Sequence, residues 1–282
     1  MRSILTTIQQ SLSPIYPPGE VTAMTRLIMQ SVCGIPPYRL LLDKDSEISP
    51  TEREKIMAIL ERLLRHEPIQ YILGETEFYG LPFAVTPDVL IPRPETEELV
   101  ELVVREERGK SATLLDLGTG SGCIAIALKQ YLPTMRVVAI DLSDGALQVA
   151  RQNAERNKVI VDFRRADILS PTSLDEVIDE QPDIIVSNPP YVFESEKQEM
   201  SRHVLEYEPA GALFVPDDDP LLYYRAIARF GHRRMSSQGK LYLEINAQCG
   251  AAMEEMLYAE GYRSVEIITD IFGKERIIKA QL

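Results

Sequence analysis

Leu114-Leu115-Asp116-Leu117-Gly118-Thr119-Gly120-Ser121-Gly122-Cys123 leaves an apolar strand through three alternating glycines and enters a helix. Doubly wound sheets bind nucleotide-like ligands at this kind of turn, because glycine lets a ligand approach the backbone closely. Outward from it, strands are expected over 113–117, 136–140, 161–164 and 183–187, with helices over 121–131 and 143–157 between them. A helix over 221–235, a strand over 240–245, a helix over 251–259 and strands over 265–269 and 276–279 complete the pattern. The last two strands are joined too briefly for a crossover helix, so they should form an antiparallel hairpin. The expected fold is α/β, a Rossmann-like doubly wound sheet with an antiparallel final strand.

The chain before this turn reads differently. Up to residue 73 it is helical, broken at Tyr16-Pro17-Pro18-Gly19 and Ile35-Pro36-Pro37. Its clearest helix starts at Ser49-Pro50-Thr51-Glu52, a capping box with proline at the first helical position, and should end near His66-Glu67-Pro68. Phe78-Tyr79-Gly80 and Phe83-Ala84-Val85 suggest a β-hairpin turning at Gly80-Leu81-Pro82, and Pro94-Glu95-Thr96-Glu97 opens another helix. The expected organisation is a small helical domain over 1–74, a hairpin linker over 75–93 and a ligand-binding domain over 94–282.

With 282 residues, 45% hydrophobic and 26% charged, the chain can bury a core without staples. Its net charge of −13 disfavours direct binding to a phosphate backbone. Cys33, Cys123 and Cys249 are odd in number and without CxxC spacing, which supports neither a disulfide framework nor a zinc site; no metal is expected. The first residues lack the apolar run of a signal peptide, and no apolar stretch reaches membrane-spanning length. A soluble, cytoplasmic protein without membrane association is expected.

Two cofactor readings fit the glycine turn. Gly120-Ser121-Gly122-Cys123-Ile124-Ala125 satisfies the GxGxxA form of a dinucleotide site, and Asp141 follows about 20 residues later. The register Asp116-x-Gly118-x-Gly120-x-Gly122 instead resembles motif I of S-adenosylmethionine-dependent methyltransferases, in which the acid faces the methionine end of the cofactor. Asp141 can accept two hydrogen bonds from a ribose diol in either case, or cap the next helix in competition with Ser143. Asp167, followed by Ile168, can accept from an adenine amino group or serve a local turn.

Asn188-Pro189-Pro190-Tyr191 follows the strand over 183–187, at the carboxyl edge where the cofactor should lie. An amide nitrogen is a poor nucleophile because its lone pair is delocalised. The Asn188 carboxamide oxygen and the Pro189 carbonyl can each accept one N–H of a planar amino group, holding its lone pair towards an electrophilic methyl. Tyr191 can pack on the planar group. Methylation itself acidifies the nitrogen, so no strong base is needed beforehand. A turn is the alternative for the tetrapeptide alone, but its position after this strand favours methyl transfer to a planar nitrogen.

With both motifs placed, nearly the whole chain resembles the protein-(glutamine-N5) methyltransferases that modify peptide chain release factors. The resemblance rests on Glu67-Pro-Ile-Gln-Tyr-Ile-Leu-Gly74, Phe78-Tyr-Gly80, Ile91-Pro-Arg-Pro-Glu-Thr-Glu97, Asp116 to Gly122, Asn188 to Tyr191 and Glu208-Pro209. It implies a class I methyltransferase fold and S-adenosyl-L-methionine as methyl donor. The implied target is the glutamine of a Gly-Gly-Gln tripeptide in a release factor docked by the helical domain. It further implies that Gly118, Thr119, Gly120, Ser121, Gly122 and Asp141 bind the cofactor, and that Asn188, Pro189, Pro190 and Tyr191 hold the glutamine. Ile168 stands where relatives often have an aromatic residue, and Asn246 where glycine is common. Arg93, Glu95 and Thr96 either line the mouth of the site or serve as a linker. The same tetrapeptide occurs in enzymes that methylate exocyclic amines of DNA and RNA bases, which is the alternative substrate class. A cofactor-binding module without catalysis is the third reading.

Overall fold

The structure, a computed structural model, describes residues 1–42 and 47–282. Two compact units are present: Met1–Gly74 with Ser201–Tyr207, and Glu75–Met200 with Glu208–Leu282. The first contains α1 (Arg2–Leu12), α2 (Pro18–Cys33), α3 (Pro37–Leu42), α4 (Pro50–Leu63) and α5 (Ile69–Leu73). Ile4, Ile8 and Leu12 recur at helical spacing on α1 and are buried with Ile28, Ile56, Leu60 and Leu63. The capping box forms at the start of α4: Ser49 Oγ accepts from the Glu52 amide at 3.2 Å, and the Ser49 amide donates to Glu52 Oε2 at 2.8 Å. The helix stops short of the expected end, because His66 takes a left-handed φ of 65° and Tyr16 donates its hydroxyl to the Leu63 carbonyl at 2.7 Å. Tyr207 likewise donates to the Arg65 carbonyl at 2.9 Å, which helps to tie Ser201–Tyr207 to this unit.

The second unit begins with the hairpin β1 (Glu75–Phe78) and β2 (Leu81–Ala84), paired from Glu75↔Ala84 to Phe78↔Leu81. Its turn is Tyr79-Gly80, with φ of 49° and 72°, rather than Gly80-Leu81-Pro82. Two consecutive left-handed residues match the twist of a tight hairpin, and Pro82 sits in a strand of a two-stranded ribbon, where no further strand needs its missing N–H. Asn153 fastens this hairpin to the remainder of the unit. Its Oδ1 accepts from the Ala84 amide at 2.6 Å, while Nδ2 donates to the carbonyls of Ala84 and Ser121 at 3.0 and 2.9 Å. The segment read as a linker is therefore built into the second unit.

Then follow α6 (Pro94–Glu107), β3 (Thr113–Leu117), α7 (Cys123–Tyr131), β4 (Arg136–Asp141), α8 (Asp144–Arg156), β5 (Asp162–Arg165), α9 (Pro171–Val177) and β6 (Ile184–Ser187). Strands β7 (Val192–Phe193) and β8 (Phe214–Val215) pair in parallel; α10 (Arg202–Tyr207) lies between them in sequence and belongs to the first unit, and α11 (Leu222–Arg234) and β9 (Lys240–Glu244) follow. Helix α12 (Gly250–Ala259) and strands β10 (Ser264–Thr269) and β11 (Glu275–Gln281) end the described chain. Helix α9 is an addition to the expected elements, started by Pro171 with the Ser170 side chain as cap.

The main sheet has the order β10-β11-β9-β6-β3-β4-β5. Strands β5, β4, β3, β6 and β9 run parallel, and β11 is antiparallel to both β9 and β10. The final hairpin thus inserts its second strand between β9 and β10. Alternation divides the side chains between two apolar layers. Leu115, Leu117, Val138, Ile140, Leu241 and Leu243 pack with α9, α11 and α12, whereas Leu114, Val137, Ala139, Val186 and Tyr242 pack with α6 and α7. Among the described residues no helix is long and apolar enough to cross a membrane.

Candidate active site

The carboxyl ends of β3, β4, β5 and β6 open on a cavity of about 290 Å³ within the second unit. After β3, Gly118, Gly120 and Gly122 take φ values of 77°, 54° and 81°, which side chains other than glycine rarely adopt. The Gly118 and Thr119 amides both donate to the Ile140 carbonyl, at 2.9 and 2.8 Å, so β4 fixes the loop. A Cβ on Gly122 would lie 2.9 Å from Ile126 Cδ1 and 3.1 Å from Ala150 Cβ, whereas one on Gly120 would meet nothing within 4 Å. Gly122 is thus required by packing against α8, and Gly120 leaves space at its surface.

Of the residues singled out from the sequence, Gly118, Thr119, Gly120, Ser121, Asp141, Asp167, Ile168, Asn188 and Pro190 line the cavity. Asp116, Gly122, Pro189 and Tyr191 are next to lining residues in the chain without lining the cavity themselves. Arg93 and Thr96 also line it, as do Leu90, Leu142, Ala166 and Tyr223, which the sequence reading did not single out. Leu142 is 57% exposed beside Asp141, and Tyr223 supplies from α11 an aromatic ring in the same cavity as Ile168. A signal for Leu142 existed in the sequence, an apolar residue directly after the acid that ends β4.

Asp141 spans the loop and the next helix: Oδ2 accepts from the Gly120 amide at 2.8 Å and Oδ1 from the Ser143 amide at 2.9 Å. Ser143, not Asp141, caps α8, accepting from the Ala146 amide at 3.2 Å. Burial raises the Asp141 pKa, and these amide bonds oppose the rise. Each carboxylate oxygen retains a second acceptor position for a diol. Asp167 accepts at Oδ1 from the Leu169 amide at 2.8 Å, which serves its own turn while the residue still faces the cavity.

Asp116 is completely buried at the end of β3. Its Oδ2 accepts from Thr119 Oγ1 at 2.6 Å, but Oδ1 has no partner; among the described residues, Ser121 Oγ is the other buried side-chain oxygen without one. Burial pushes the Asp116 carboxyl up to about 7, against the lowering effect of the Thr119 hydroxyl and the Ala125 amide. Buried polar atoms are rarely left unpaired, and these two, one at the end of β3 and one in the glycine loop that follows it, suit a segment that meets a polar ligand.

Across the cavity, Asn188 follows β6 and donates through Nδ2 to Thr96 Oγ1 at 3.1 Å. Thr96, in the first turn of α6, donates to Glu244 Oε2 at 2.7 Å, and the Tyr191 hydroxyl donates to Glu244 Oε1 at 2.9 Å. Glu244 ends β9 and is wholly buried; burial raises its pKa, opposed by the Thr96 and Tyr191 bonds and the positive charge of Arg276. The Tyr191 hydroxyl, held against that carboxylate, is pushed well above the ordinary phenol range, by burial first. The Tyr191 ring packs against the apolar layer of α11 and α12, and its hydroxyl bond to Glu244 anchors it there. On the rim, Arg93 forms a 2.7 Å ion pair with the buried Glu208, whose second oxygen accepts from the Ile91 amide at 3.3 Å.

Residues 3–74 match the family model of the PrmC N-terminal domain, and residues 95–214 that of the methyltransferase small domain. The chain is 49% identical over 280 residues to the release factor glutamine methyltransferase of Bacteroides thetaiotaomicron, covering 99% of each chain. The chain belongs to the release factor glutamine methyltransferase family. A second member, from Flavobacterium psychrophilum, is 42% identical over 283 residues, covering 99% of this chain and 98% of that one. In fold, the chain is similar to the 16S rRNA N2 G1207 methyltransferase of Thermus thermophilus, solved with AdoMet and guanosine. The TM-score is 0.53 at 17% identity, over 73% of this chain and 49% of that one. Family membership resolves the ambiguity of the glycine turn in favour of a methyltransferase.

Proposed function

We propose that this protein transfers a methyl group from S-adenosyl-L-methionine to the side-chain amide nitrogen of the glutamine in the Gly-Gly-Gln motif of peptide chain release factors. The observation that carries the reading is the meeting, in one cavity, of the glycine loop after β3 with Asn188 directly after β6, with unpartnered buried oxygens on Asp116 at the end of β3 and on Ser121 in the loop. Full-length similarity to the family supports the substrate.

The residues fit the methyl donor. Gly118, Thr119, Gly120 and Ser121 form its cradle, with Gly122 shaping the loop from behind. Asp141 takes the ribose diol, Asp167 and Ile168 the adenine with Tyr223 across from them, and Asp116 supplies negative charge beneath the methionine end. When bound, S-adenosyl-L-methionine supplies a methyl carbon on sulfonium sulfur, whose C–S bond breaks as the N–C bond forms, leaving a neutral thioether. Asn188 Oδ1 and the Pro189 carbonyl accept the two N–H groups of the glutamine amide and hold its nitrogen. Pro189 and Pro190 stiffen this turn, and Tyr191 anchors it to Glu244. After transfer the nitrogen gives up a proton to water. The helical domain docks the release factor, and the reaction takes place in the cytoplasm without membrane or nucleic-acid attachment.

The direct test incubates the protein with S-adenosyl-L-methionine and an unmodified release factor, beside one whose Gly-Gly-Gln glutamine is replaced, and maps methylation by peptide mass spectrometry. A methyl group on that glutamine alone is expected. Label in DNA or RNA, with none in the release factor, would transfer the reading to exocyclic base amines.

A further inference from the structure

The two ends of a carboxamide have nearly the same shape but opposite hydrogen-bonding character, so something other than packing must decide which end of Asn188 faces the substrate. Glu244 can decide it. The Thr96 and Tyr191 hydroxyls and the charge of Arg276 favour the ionised form of Glu244, whose oxygens only accept, so the Thr96 hydroxyl 2.7 Å from Oε2 spends its single proton on that contact. The Thr96 oxygen is then an acceptor for its other neighbour, Asn188, which must turn its NH2 end towards Thr96. The carboxamide oxygen is left for the cavity that Asn188 lines. Tyr191 takes the second Glu244 oxygen with its own proton, so a single acid fixes both ends of the Asn-Pro-Pro-Tyr turn.

We infer that Glu244, acting through Thr96, is a positioning residue that locks the Asn188 carboxamide with its oxygen facing the glutamine amide. The inference deepens the proposed function and rests on it. Reversed, Asn188 would present an NH2 to the substrate NH2, two donors facing each other, and the nitrogen to be methylated would lose one of its two restraints. All four side chains belong to the second unit, and Thr96 and Glu244 are 2% and 0% exposed. Water therefore has little access to substitute for either hydroxyl–carboxylate contact.

The test compares Glu244→Gln, Thr96→Val, Thr96→Ser and Asn188→Ala in release-factor methylation, with cofactor affinity and thermal melting as controls of folding. Glu244→Gln and Thr96→Val should lower kcat by about 10–100-fold, the scale of a misplaced reacting group, with KM for the release factor changed by less than about threefold. Thr96→Ser, which keeps the hydroxyl, should recover most of the loss. Thr96→Val should add nothing in the Asn188→Ala background, because there is no carboxamide left to orient. Independently of turnover, the Asn188 Nδ2 protons should exchange slowly with solvent in a side-chain 1H–15N spectrum, and faster in Thr96→Val. Wild-type kcat and unchanged exchange in Thr96→Val, with Asn188→Ala inactive, would overturn the inference and leave the proposed function standing. Full turnover by Asn188→Ala would overturn the proposed role of Asn188 and the inference with it.

Discussion

Asp116 and Glu244 are both wholly buried acids at the carboxyl ends of strands in one sheet, and they differ in what the protein gives them. Glu244 has a hydroxyl on each oxygen and the positive charge of Arg276 nearby, so its demand is met by the chain. Asp116 has one hydroxyl, and its other oxygen has no hydrogen bond, with the Ala125 amide its nearest support. Burying a carboxylate is costly unless it is fully bonded, so the first acid belongs to the scaffold and the second stores a cost that a cationic ligand group would relieve. Chemically equal residues thus mark the two sides of the proposed site, Glu244 the side of Asn188 and Asp116 the side of the glycine loop.

The sharpest way to break this contrast is to remove each acid in turn. Glu244→Ala should destabilise the protein by roughly 3–5 kcal/mol, because it strands the Thr96 and Tyr191 hydroxyls and opens a void; denaturant unfolding measures it. Asp116→Asn should act in the opposite direction on the ligand-free protein. The folded Asp116 holds a proton up to about pH 7 that the unfolded chain releases near 3.8, so its contribution to stability falls as pH rises through that window and stays low above it. The asparagine variant should lose that slope and melt several degrees higher at pH 8, while binding S-adenosyl-L-methionine about 10-fold or more weakly. A variant that melts lower at pH 8, with cofactor affinity unchanged, would show that the two acids do the same job.

Smaller effects sharpen the cofactor side. Gly122→Ala combines a strained φ of 81° with contact against Ile126 and Ala150, and should cost about 2–4 kcal/mol of stability. Gly120→Ala meets no neighbour and should cost about 1–2 kcal/mol from its φ alone. If calorimetry finds the greater loss of stability at Gly120, the division between a packing glycine and a cradle glycine is wrong.

Much of this was legible before the structure, because strong local signals coincide with the sheet edge: the glycine run, the acid after β4 and the Asn-Pro-Pro-Tyr turn. The hairpin turn falls earlier than the sequence suggests because Pro82 reads as a turn residue, whereas Tyr79 adopts the left-handed conformation beside Gly80. Glu244 went unnoticed although it stands alone in the apolar run Leu241-Tyr242-Leu243-Glu244-Ile245, where a charge implies a buried partner. That partner, Thr96, lies 148 residues earlier in the chain, a pairing that no local pattern encodes. Tyr223 was hidden for the same reason, since only the packing of α11 brings it to the cavity. The acceptor turn could be read, but not the side chains that hold it.

The insertion of β11 between β9 and β10 also sets a schedule for synthesis. The strand that covers β9, pairing Ile277 with Glu244, leaves the ribosome after every other strand of the sheet. Without it, the strand carrying Glu244 would be an open edge with unpaired backbone groups. The edge of the strand that carries Glu244 is thus closed by the last strand of the sheet, whereas the glycine loop is held by β4 and α8, the elements that follow it directly.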